Sequence, residues 1–251
     1  MENRWTLNSQ YALITGGSKG IGKSAAIEFL NHGAQVCIVS RNEEDIQELT
    51  SKHSNLTGIK ADLSNHEDLS KVINYIKDNF PHLDILVNNV GHNIRKKTTE
   101  YTTEEYELIM NTNLKSAFEL SRMAYPMLKK SGQASIVNVS SVAGQKHIRT
   151  GSIYGMTKAA MIQLTKNLAG EWAKDNIRVN AVAPWYIKTP LAETVLKNKP
   201  YLNEVLERTP MKKIGEPEDV AAAIAFLCMP VAKYITGQCI SVDGGFTIYG
   251  F

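Results

Sequence analysis

Tyr154 and Lys158 stand at a spacing that suits proton transfer. The run Tyr154-Gly155-Met156-Thr157-Lys158 opens a long amphipathic segment, and residues four apart lie on one helical face, one turn apart. Free tyrosine has a pKa of about 10, which is too high for efficient acid–base work near neutral pH. A nearby ammonium lowers that pKa because it stabilises the phenolate. The pair therefore predicts a general acid that donates a proton to a ketone oxygen.

Ser141 adds a hydroxyl that could hold the same carbonyl oxygen. It follows an apolar, strand-like run and precedes Tyr154 by 13 residues. A Tyr-x-x-x-Lys spacing is common by chance, so its meaning depends on its place in the fold. We expect that place to be the carboxyl ends of parallel strands, beside a cofactor crevice.

A glycine-rich turn, Thr15–Gly22, joins the first strand-like run to the first helical segment. Gly16 would allow the tight bend, Gly20 the approach of backbone to a pyrophosphate, and Gly22 close packing of helix on strand. The helix that follows would point its N-terminus at the phosphates. With a second strand at Gln35–Ser40, the turn predicts a dinucleotide site.

Charges around this turn indicate which dinucleotide binds. NAD sites usually carry an acidic residue about 20 positions after the glycines, but here the second strand ends in Ser40-Arg41-Asn42. Arg41 and Lys19 suit a 2′-phosphate and predict NADP(H), although both could be ordinary surface cations. Asp62, at the end of the third strand-like run, could bond the adenine edge or cap the following loop.

Strand-like and helical segments alternate along the whole chain. The strand candidates are Tyr11–Thr15, Gln35–Ser40, Leu56–Ala61, Ile85–Asn88, Ser135–Val139, Arg178–Ala183 and Cys239–Val242. The helix candidates are Ile21–Asn31, Glu43–Lys52, Glu67–Asn79, Thr103–Lys129, Ile153–Ala173 and Glu218–Leu227. This alternation predicts an α/β fold, a doubly wound Rossmann-like parallel sheet of about seven strands with helices on both faces. No linker divides residues 1–251, which predicts a single domain.

The segment Pro184–Arg208 interrupts this rhythm with three prolines and several aromatic residues. A long insertion in a compact domain is often a lid or binding loop, and we expect one at about 185–208; a plain surface excursion is the alternative. Trp185 and Tyr186 would form an aromatic wall of the substrate pocket, or Trp185 would pack into the base of the loop. His92 and His147 lie in loops that should border the pocket, or on the surface.

Net charge, hydropathy and cysteine content limit which kinds of molecule we expect the protein to bind. The 251 residues carry a formal net charge of only +3 from scattered basic residues, which gives no sign of nucleic-acid binding. No apolar stretch reaches the length of roughly 18–20 residues that a membrane span needs. Cys37, Cys228 and Cys239 lie in apolar runs typical of buried thiols, and no histidines stand at metal-ligand spacing. We expect a cytoplasmic protein with a small-molecule substrate and no metal.

The chain resembles the short-chain dehydrogenase/reductases over essentially its full length. Thr15–Gly22, Asn88-Asn89-Val90-Gly91, Asn113, Ser141, Tyr154 and Lys158 fall in the order and spacing of that family. The resemblance implies a catalytic tetrad in which Tyr154 is the acid/base and Lys158 bonds the nicotinamide ribose. Ser141 would position the substrate, and Asn113 would hold a water in the proton relay.

The same resemblance implies the contacts of the site. The expected cofactor contacts are Gly16, Ser18, Lys19, Gly20, Ile21, Gly22, Ser40, Arg41, Asp62, Leu63, Asn89, Gly91, Tyr154, Lys158, Pro184, Ile187 and Thr189. The expected substrate pocket comprises His92, His147, Trp185, Tyr186 and Leu191. Two residues depart from the family pattern: Val90 replaces an alanine, and Trp185 replaces a glycine beside the nicotinamide.

Several segments look most like the tropinone-reductase-like group of this family. They are Trp5–Leu7, Ser40–Glu43, Glu171–Asn180, Thr189–Leu191, Ile224–Leu227 and Tyr234–Gln238. That likeness implies an NADP(H)-dependent reductase of a ketone, with cyclic and bicyclic ketones as first candidates, and a homotetramer or homodimer to which Tyr249 and Phe251 could contribute. A 3-oxoacyl or hydroxysteroid-type reductase, and a non-catalytic NADP-binding protein, are the alternatives.

Overall fold

Seven parallel strands form one sheet in the computed structural model, which describes residues 3–250 apart from the side chain of Thr194. The strands are β1 Tyr11–Thr15, β2 Gln35–Ser40, β3 Leu56–Lys60, β4 Ile85–Asn88, β5 Ala134–Val139, β6 Ile177–Pro184 and β7 Cys239–Val242. Their order is β3-β2-β1-β4-β5-β6-β7, and every neighbouring pair is parallel. The predicted doubly wound sheet is confirmed; Phe251 lies outside the described residues.

Helices cover both faces of this sheet. Over the described residues they are α1 Gly20–Asn31, α2 Glu43–Thr50, α3 His66–Asn79, α4 Thr103–Met110, α5 Ser116–Ser131, α6 Ser152–Trp172, α7 Pro190–Leu196, α8 Lys199–Arg208 and α9 Pro217–Cys228. One apolar core lies between the sheet and α1 and α9, and the other between the sheet and α3, α5 and α6. Because both faces are covered, central strands such as β5 are buried along their whole length.

The predicted helix Thr103–Lys129 contains an irregularity that the sequence does not reveal. Between α4 and α5, residues Asn111–Lys115 form one π-helical turn, and the helical path then continues to Ser131. Such turns are rare and often lie at functional sites. This one carries Asn113, whose side chain is fully buried.

The segment after β6 is folded rather than a loop. We expected a lid loop over residues 185–208, and the structure places α7 and α8 there. Local signals explain both helices: Pro190 and Pro200 stand in their first turns, where a missing N–H costs nothing, and Asn198 caps α8 by accepting from the Tyr201 amide at 3.1 Å. The segment packs against its own small apolar cluster, which includes Tyr186, Ala192 and Val205.

The carboxyl ends of the strands meet along one edge of the sheet. The strand order reverses between β1 and β4, and ligands bind at such a switch point in open α/β sheets. Within residues 3–250, no helix is long and apolar enough to cross a membrane. Cys37, Cys228 and Cys239 are free thiols, and burial raises the pKa of Cys37 and of Cys228 to about 12, as expected for inert core cysteines.

Candidate active site

A cavity of about 1020 Å³ opens at this edge of the sheet. That volume is at the upper end for small-molecule sites, so it can hold an extended dinucleotide together with a substrate. Most of the expected site residues line it: Gly16, Ser18, Lys19, Gly20, Ile21, Ser40, Arg41, Asp62, Leu63, Asn89, Gly91, His92, Ser141, Tyr154, Lys158, Pro184, Trp185, Tyr186, Ile187, Thr189 and Leu191. Gly22, Asn113 and His147 are not part of the lining.

The turn after β1 has the backbone that a dinucleotide loop needs. Gly16 has φ +62°, a left-handed conformation that allows the chain to bend at the end of the strand. Gly22 lies behind the loop, where an added Cβ would stand 2.2 Å from the Gly16 carbonyl oxygen. Gly22 is therefore a packing residue that brings α1 close to β1, rather than a direct cofactor contact.

Asn89 connects the ends of β1 and β4 beneath this turn. Its Nδ2 donates to the Thr15 carbonyl at 2.9 Å and to the Gly16 carbonyl at 3.2 Å, while its backbone N–H donates to the Thr15 hydroxyl. The next glycine, Gly91, leaves room beside Lys158, whose Nζ would lie 3.4 Å from an added Cβ. These contacts shape an open cradle that fits the phosphates and nicotinamide ribose of a bound dinucleotide.

The end of the cavity beside β2 carries acidic as well as basic side chains, whereas the sequence led us to expect only basic ones. Arg41 is exposed at the end of β2, and Ser40 shares a 2.7 Å hydrogen bond with Ser18. Lys19 pairs with Asp45 at 2.8 Å, and Asp45 belongs to the first turn of α2. The carboxylate of Asp45 therefore lines this end of the cavity, although no acidic residue stands at the end of β2 itself.

Asp62 caps the turn after β3, one of the two roles that its position allowed, and its contact with an adenine edge stays a prediction. Its carboxylate lines the cavity at the end of β3. It also accepts from the Ser64 amide at 3.0 Å and from the Ser64 hydroxyl at 2.8 Å, which caps the following turn. The second carboxylate oxygen has no partner among the described side chains, so it is available to a ligand.

Tyr154 and Lys158 lie on one face of α6, as the spacing predicted. The Lys158 Nζ is 5.6 Å from the centroid of the Tyr154 ring and donates to the Val139 carbonyl at 2.8 Å, at the end of β5. Lys158 is buried, and desolvation lowers its pKa to about 8. The lysine is held by the sheet backbone and carries most of its charge at neutral pH.

The protonation of Tyr154 differs from our expectation. We expected Lys158 to lower the Tyr154 pKa, but burial of the phenol raises it. The groups that oppose this rise are the neighbouring Ser141 hydroxyl and the charge of Arg95. The physical reason is that desolvation of the phenolate outweighs the nearby charges, so Tyr154 keeps its proton near neutral pH and is poised as an acid.

Ser141 lies directly opposite α6, in the turn that follows β5. Its Oγ accepts from the Ala143 amide at 3.1 Å and donates weakly to the Pro184 carbonyl at 3.5 Å. Its weak donor contact can be exchanged for a stronger one to a ligand oxygen. Since Ser141 and Tyr154 both line the cavity, a carbonyl oxygen placed there can receive hydrogen bonds from both.

Asn113 acts behind the cavity wall. Its Oδ1 accepts from the His92 amide at 2.7 Å, and its Nδ2 donates to the His92 carbonyl at 2.9 Å and to the Thr157 hydroxyl at 3.2 Å. These bonds engage both ends of the carboxamide and tie the loop after β4 to α6. The side chain of Asn113 is thus a positioning group; a role in holding a water stays a prediction.

Trp185 both lines the cavity and packs into the base of the segment after β6, and its role as a wall of the substrate pocket stays a prediction. Its indole lines the cavity, but it also stacks on Phe246 with ring centroids 3.7 Å apart, and its Nε1 donates to the Thr209 hydroxyl at 3.0 Å. Tyr186 meets the indole edge-on and shares a 2.6 Å hydrogen bond with Tyr201 of α8. The bulk of Trp185 is therefore fixed between the cavity and the chain's final segment.

Of the two histidines expected to line the substrate pocket, one lies elsewhere. His92 and Leu191 line the cavity, but His147 is exposed and lies outside it. Ile148 and Thr150 line the cavity instead. Sequence reasoning also missed Asn93 and Arg95, which line the wall after β4; the only signal was their position just after the Asn-Asn-Val-Gly run.

Comparisons with known proteins agree with this geometry. A family model described as Enoyl-(Acyl carrier protein) reductase matches residues 16–247. A tropinone reductase homologue of Arabidopsis thaliana is 52% identical, over 100% of this chain and 97% of the relative. A second Arabidopsis homologue, described as chloroplastic, is 46% identical over 100% of this chain and 79% of its own length. A gluconate 5-dehydrogenase structure from Burkholderia cenocepacia, in complex with NADP and tartrate, matches with a TM-score of 0.94 and 28% identity over 98% of both chains.

Proposed function

Because the chain belongs to the short-chain dehydrogenase/reductase family and to its tropinone-reductase-like group, we propose that it reduces a ketone to a secondary alcohol with NADPH. One observation carries the proposal. Tyr154 and Lys158 on α6 and Ser141 after β5 line the same cavity as the glycine turn after β1. A proton donor and a dinucleotide loop thus share one space, as hydride transfer to a carbonyl requires.

The residues present fit a nicotinamide dinucleotide. The bend at Gly16, the open space at Gly91 and the uncommitted carboxylate oxygen of Asp62 provide room and polar contacts along the length of the cavity. The preference for NADP(H) rests on Arg41, which has no ion-pair partner among the described residues and directly follows β2, next to the Ser18–Ser40 pair. Lys19 would add a second cation, in competition with its bond to Asp45.

The reaction divides between the cofactor and the protein. A bound reduced nicotinamide supplies the hydride that adds to the carbonyl carbon. Tyr154 Oη donates its proton to the carbonyl oxygen, so that a neutral alcohol leaves and a proton from solvent restores the phenol. The Ser141 hydroxyl donates to the same oxygen and fixes its position. Lys158 places a positive charge near the transient tyrosinate, and the resemblance gives it a further bond to the nicotinamide ribose.

The wall formed by Trp185, Tyr186 and Leu191 would define the substrate half of the cavity. Leu191 is exposed in the first turn of α7, and α7 joins α8 within the segment that we expected to act as a lid. Movement of these two short helices would close the site and exclude water from hydride transfer. The indole of Trp185, fixed by Phe246 and Thr209, would serve as the stationary side of that closure.

We further propose that the chain forms a homotetramer. Three helices expose apolar side chains: Tyr106 and Leu108 on α4, Phe118 on α5 and Met156 on α6. These residues are 40–51% exposed, and a helical subunit interface would cover them. A cytoplasmic location stays a prediction, and one homologue is described as chloroplastic.

A cofactor and ketone screen tests the proposal. Consumption of NADPH and of NADH is followed with cyclic and bicyclic ketones, a 3-oxoacyl thioester and a steroid ketone, in wild type and in Tyr154→Phe. We expect NADPH to be consumed with at least one ketone and the rate to fall in the variant. A protein that binds NADPH but oxidises it with no member of the panel would instead be the non-catalytic dinucleotide binder.

A further inference from the structure

Arg95 places a guanidinium with a buried, unpaired Nε in the wall of the cavity. The residue is half-buried in the loop after β4 and lines the same space as Tyr154 and Tyr186. Its Nε is buried and has no hydrogen-bond partner, and no carboxylate of the described residues forms an ion pair with it. A buried charged donor without a partner is costly, which indicates that a ligand completes it.

The loop that carries Arg95 is held in place on both sides. Before it, Asn93 Nδ2 donates to the Thr150 carbonyl at 3.1 Å and to the Thr150 hydroxyl at 2.7 Å. Next to it, the Tyr101 hydroxyl donates to the Ile94 carbonyl at 2.5 Å. The unpaired guanidinium is therefore not the end of a loose surface loop, and its backbone is preorganised to receive a ligand.

The charge distribution in the cavity is strongly asymmetric. Its lining carboxylates, Glu43, Glu44, Asp45 and Asp62, all belong to the end near β2 and β3. The half that contains Tyr154 has no acidic lining residue, and the charge of Arg95 acts on both Tyr154 and Tyr186 by lowering their pKa values against the effect of burial. A positive field thus surrounds the place where the ketone must bind.

We propose that Arg95 binds a carboxylate of the substrate, and that the preferred substrate is therefore a ketone that also carries a carboxylate, an oxo acid. The inference rests on the proposed ketone reduction and specifies its substrate class. A planar guanidinium donates two parallel hydrogen bonds to a carboxylate, and in a partly dehydrated site this pairing is stronger than in water. A ketone with a protonated amine would meet repulsion in the same place.

Matched substrates isolate this charge effect. We would measure kcat/KM with NADPH for 4-oxocyclohexanecarboxylate, its methyl ester and 4-aminocyclohexanone, which share one ring ketone and differ in charge. Oxo acids with the carboxylate at the 3-position or on a methylene arm cover other distances, and 4-oxocyclohexyl phosphate tests the alternative anion. Wild type should prefer an oxo acid over its ester by about 10-fold or more, the scale of one charge-assisted contact.

Variants of Arg95 test whether this residue causes the preference for the oxo acid over its ester. Arg95→Leu should lower kcat/KM for the oxo acid about 10- to 100-fold more than it lowers kcat/KM for the ester. Arg95→Lys should be intermediate because it keeps the charge but loses the planar fork. Arg4→Leu is the matched control, since Arg4 is exposed ahead of β1 and does not line the cavity. It should behave as wild type with every substrate.

The outcomes separate this inference from the proposed function. If the ester and the acid are reduced equally well, if the phosphate is preferred, or if Arg95→Leu weakens acid and ester alike, the carboxylate assignment is wrong and ketone reduction stands. If no ketone is reduced, calorimetric titration of NADP⁺-loaded protein with 4-hydroxycyclohexanecarboxylate and its methyl ester still decides the point. Arg95-dependent binding of the acid supports the assignment, and equal or absent binding of the two overturns it.

Discussion

Lys158 lies 5.6 Å from the centroid of the Tyr154 ring while its Nζ donates to the Val139 carbonyl of β5. The bond to the strand fixes the ammonium at the end of the sheet, one turn of α6 from the phenol. Burial lowers the Lys158 pKa to about 8 and raises that of Tyr154. Both shifts have the same origin in desolvation, so the pair is set to donate a proton at neutral pH at a cost to the stability of the empty protein.

That cost gives a prediction for Lys158→Met. Folding lowers the lysine pKa from 10.5 to about 8, so below pH 8 the folded protein must hold a buried ammonium. Between pH 8 and 10.5 the lysine is protonated in the unfolded chain but largely neutral in the folded protein. The unfolding free energy of the wild type therefore increases as the pH rises through this range. Without cofactor, the variant should be more stable than wild type at pH 7, by roughly 1–3 kcal/mol.

Urea unfolding at several pH values between 7 and 9.5 measures this effect. The advantage of Lys158→Met over wild type should be largest near pH 7 and should shrink from about pH 8 upward, with Lys146→Met, at an exposed position, as the control. A constant difference between wild type and Lys158→Met at every pH would mean that the Lys158 charge is not desolvated. The variant should also lose turnover and cofactor affinity.

Cofactor preference depends on Arg41. Arg41→Asp removes the unpaired cation at the end of β2 and places a carboxylate where a 2′-phosphate would lie. We expect kcat/KM for NADPH to fall by about 10- to 100-fold relative to that for NADH, the scale of a charge-assisted bond. Asp45→Asn should act in the opposite direction because it releases Lys19. Arg208→Asp is the control, and equal use of both cofactors by wild type would contradict this account.

The sheet could be predicted well from the sequence because its strands are short, continuous apolar runs. Each of the seven expected runs became a strand with bounds within one residue or so, since buried parallel strands need continuous apolar segments. Tyr154 and Lys158 were found for a similar reason: a spacing of four on a helix fixes which side chains share a face.

The missed features depend on contacts between distant residues. Nothing in the run Asn111–Lys115 marks a π-helical turn, and the hydrogen bonds that its Asn113 side chain makes reach His92, 21 residues earlier in the chain. Asp45 reaches Lys19 only when α2 folds back beside the glycine turn. In the sequence Arg95 is one of many scattered basic residues, and only the fold of the loop after β4 places it in the cavity lining.

Trp185 lines the cavity and also packs against Phe246, so we expect its substitutions to change both the range of accepted ketones and the stability. Trp185→Gly removes the stack on Phe246 and the bond to Thr209, and we expect a loss of roughly 2–3 kcal/mol of stability, below the cost for a fully buried tryptophan. The variant should also accept bulkier ketones with an altered KM. Trp185→Phe, which keeps a ring against Phe246, should recover much of the stability.

A thermal melt and a ketone panel for both Trp185 variants separate the two roles. A melting temperature that collapses while the range of accepted ketones stays the same would show that the indole only packs the base of α7 and α8. A wider range with unchanged stability would mean that the contacts with Phe246 and Thr209 are weak.

The oligomer prediction is tested at Phe118. Phe118→Glu places a charge at one of the apolar positions that α4, α5 and α6 expose, and Phe118 is 45% exposed in the single chain. Burial of a carboxylate in an interface is costly, so the variant should dissociate to smaller species. Light scattering after gel filtration gives the mass, with Gln133→Glu on the exposed turn after α5 as the control. A monomeric wild type, or an unchanged Phe118→Glu tetramer, would contradict the proposed interface.

The central claim is that Tyr154 gives a proton to a ketone oxygen, and Tyr154→Phe tests it most directly because only the hydroxyl is removed. Single-turnover reduction, followed by the loss of NADPH fluorescence with a ketone accepted by wild type, reports the chemical step without product release. We predict a rate at least about 100-fold lower in the variant, the lower range for a lost general acid, with NADPH affinity and melting temperature close to wild type. Reduction at a near-normal rate by Tyr154→Phe would show that another group supplies the proton.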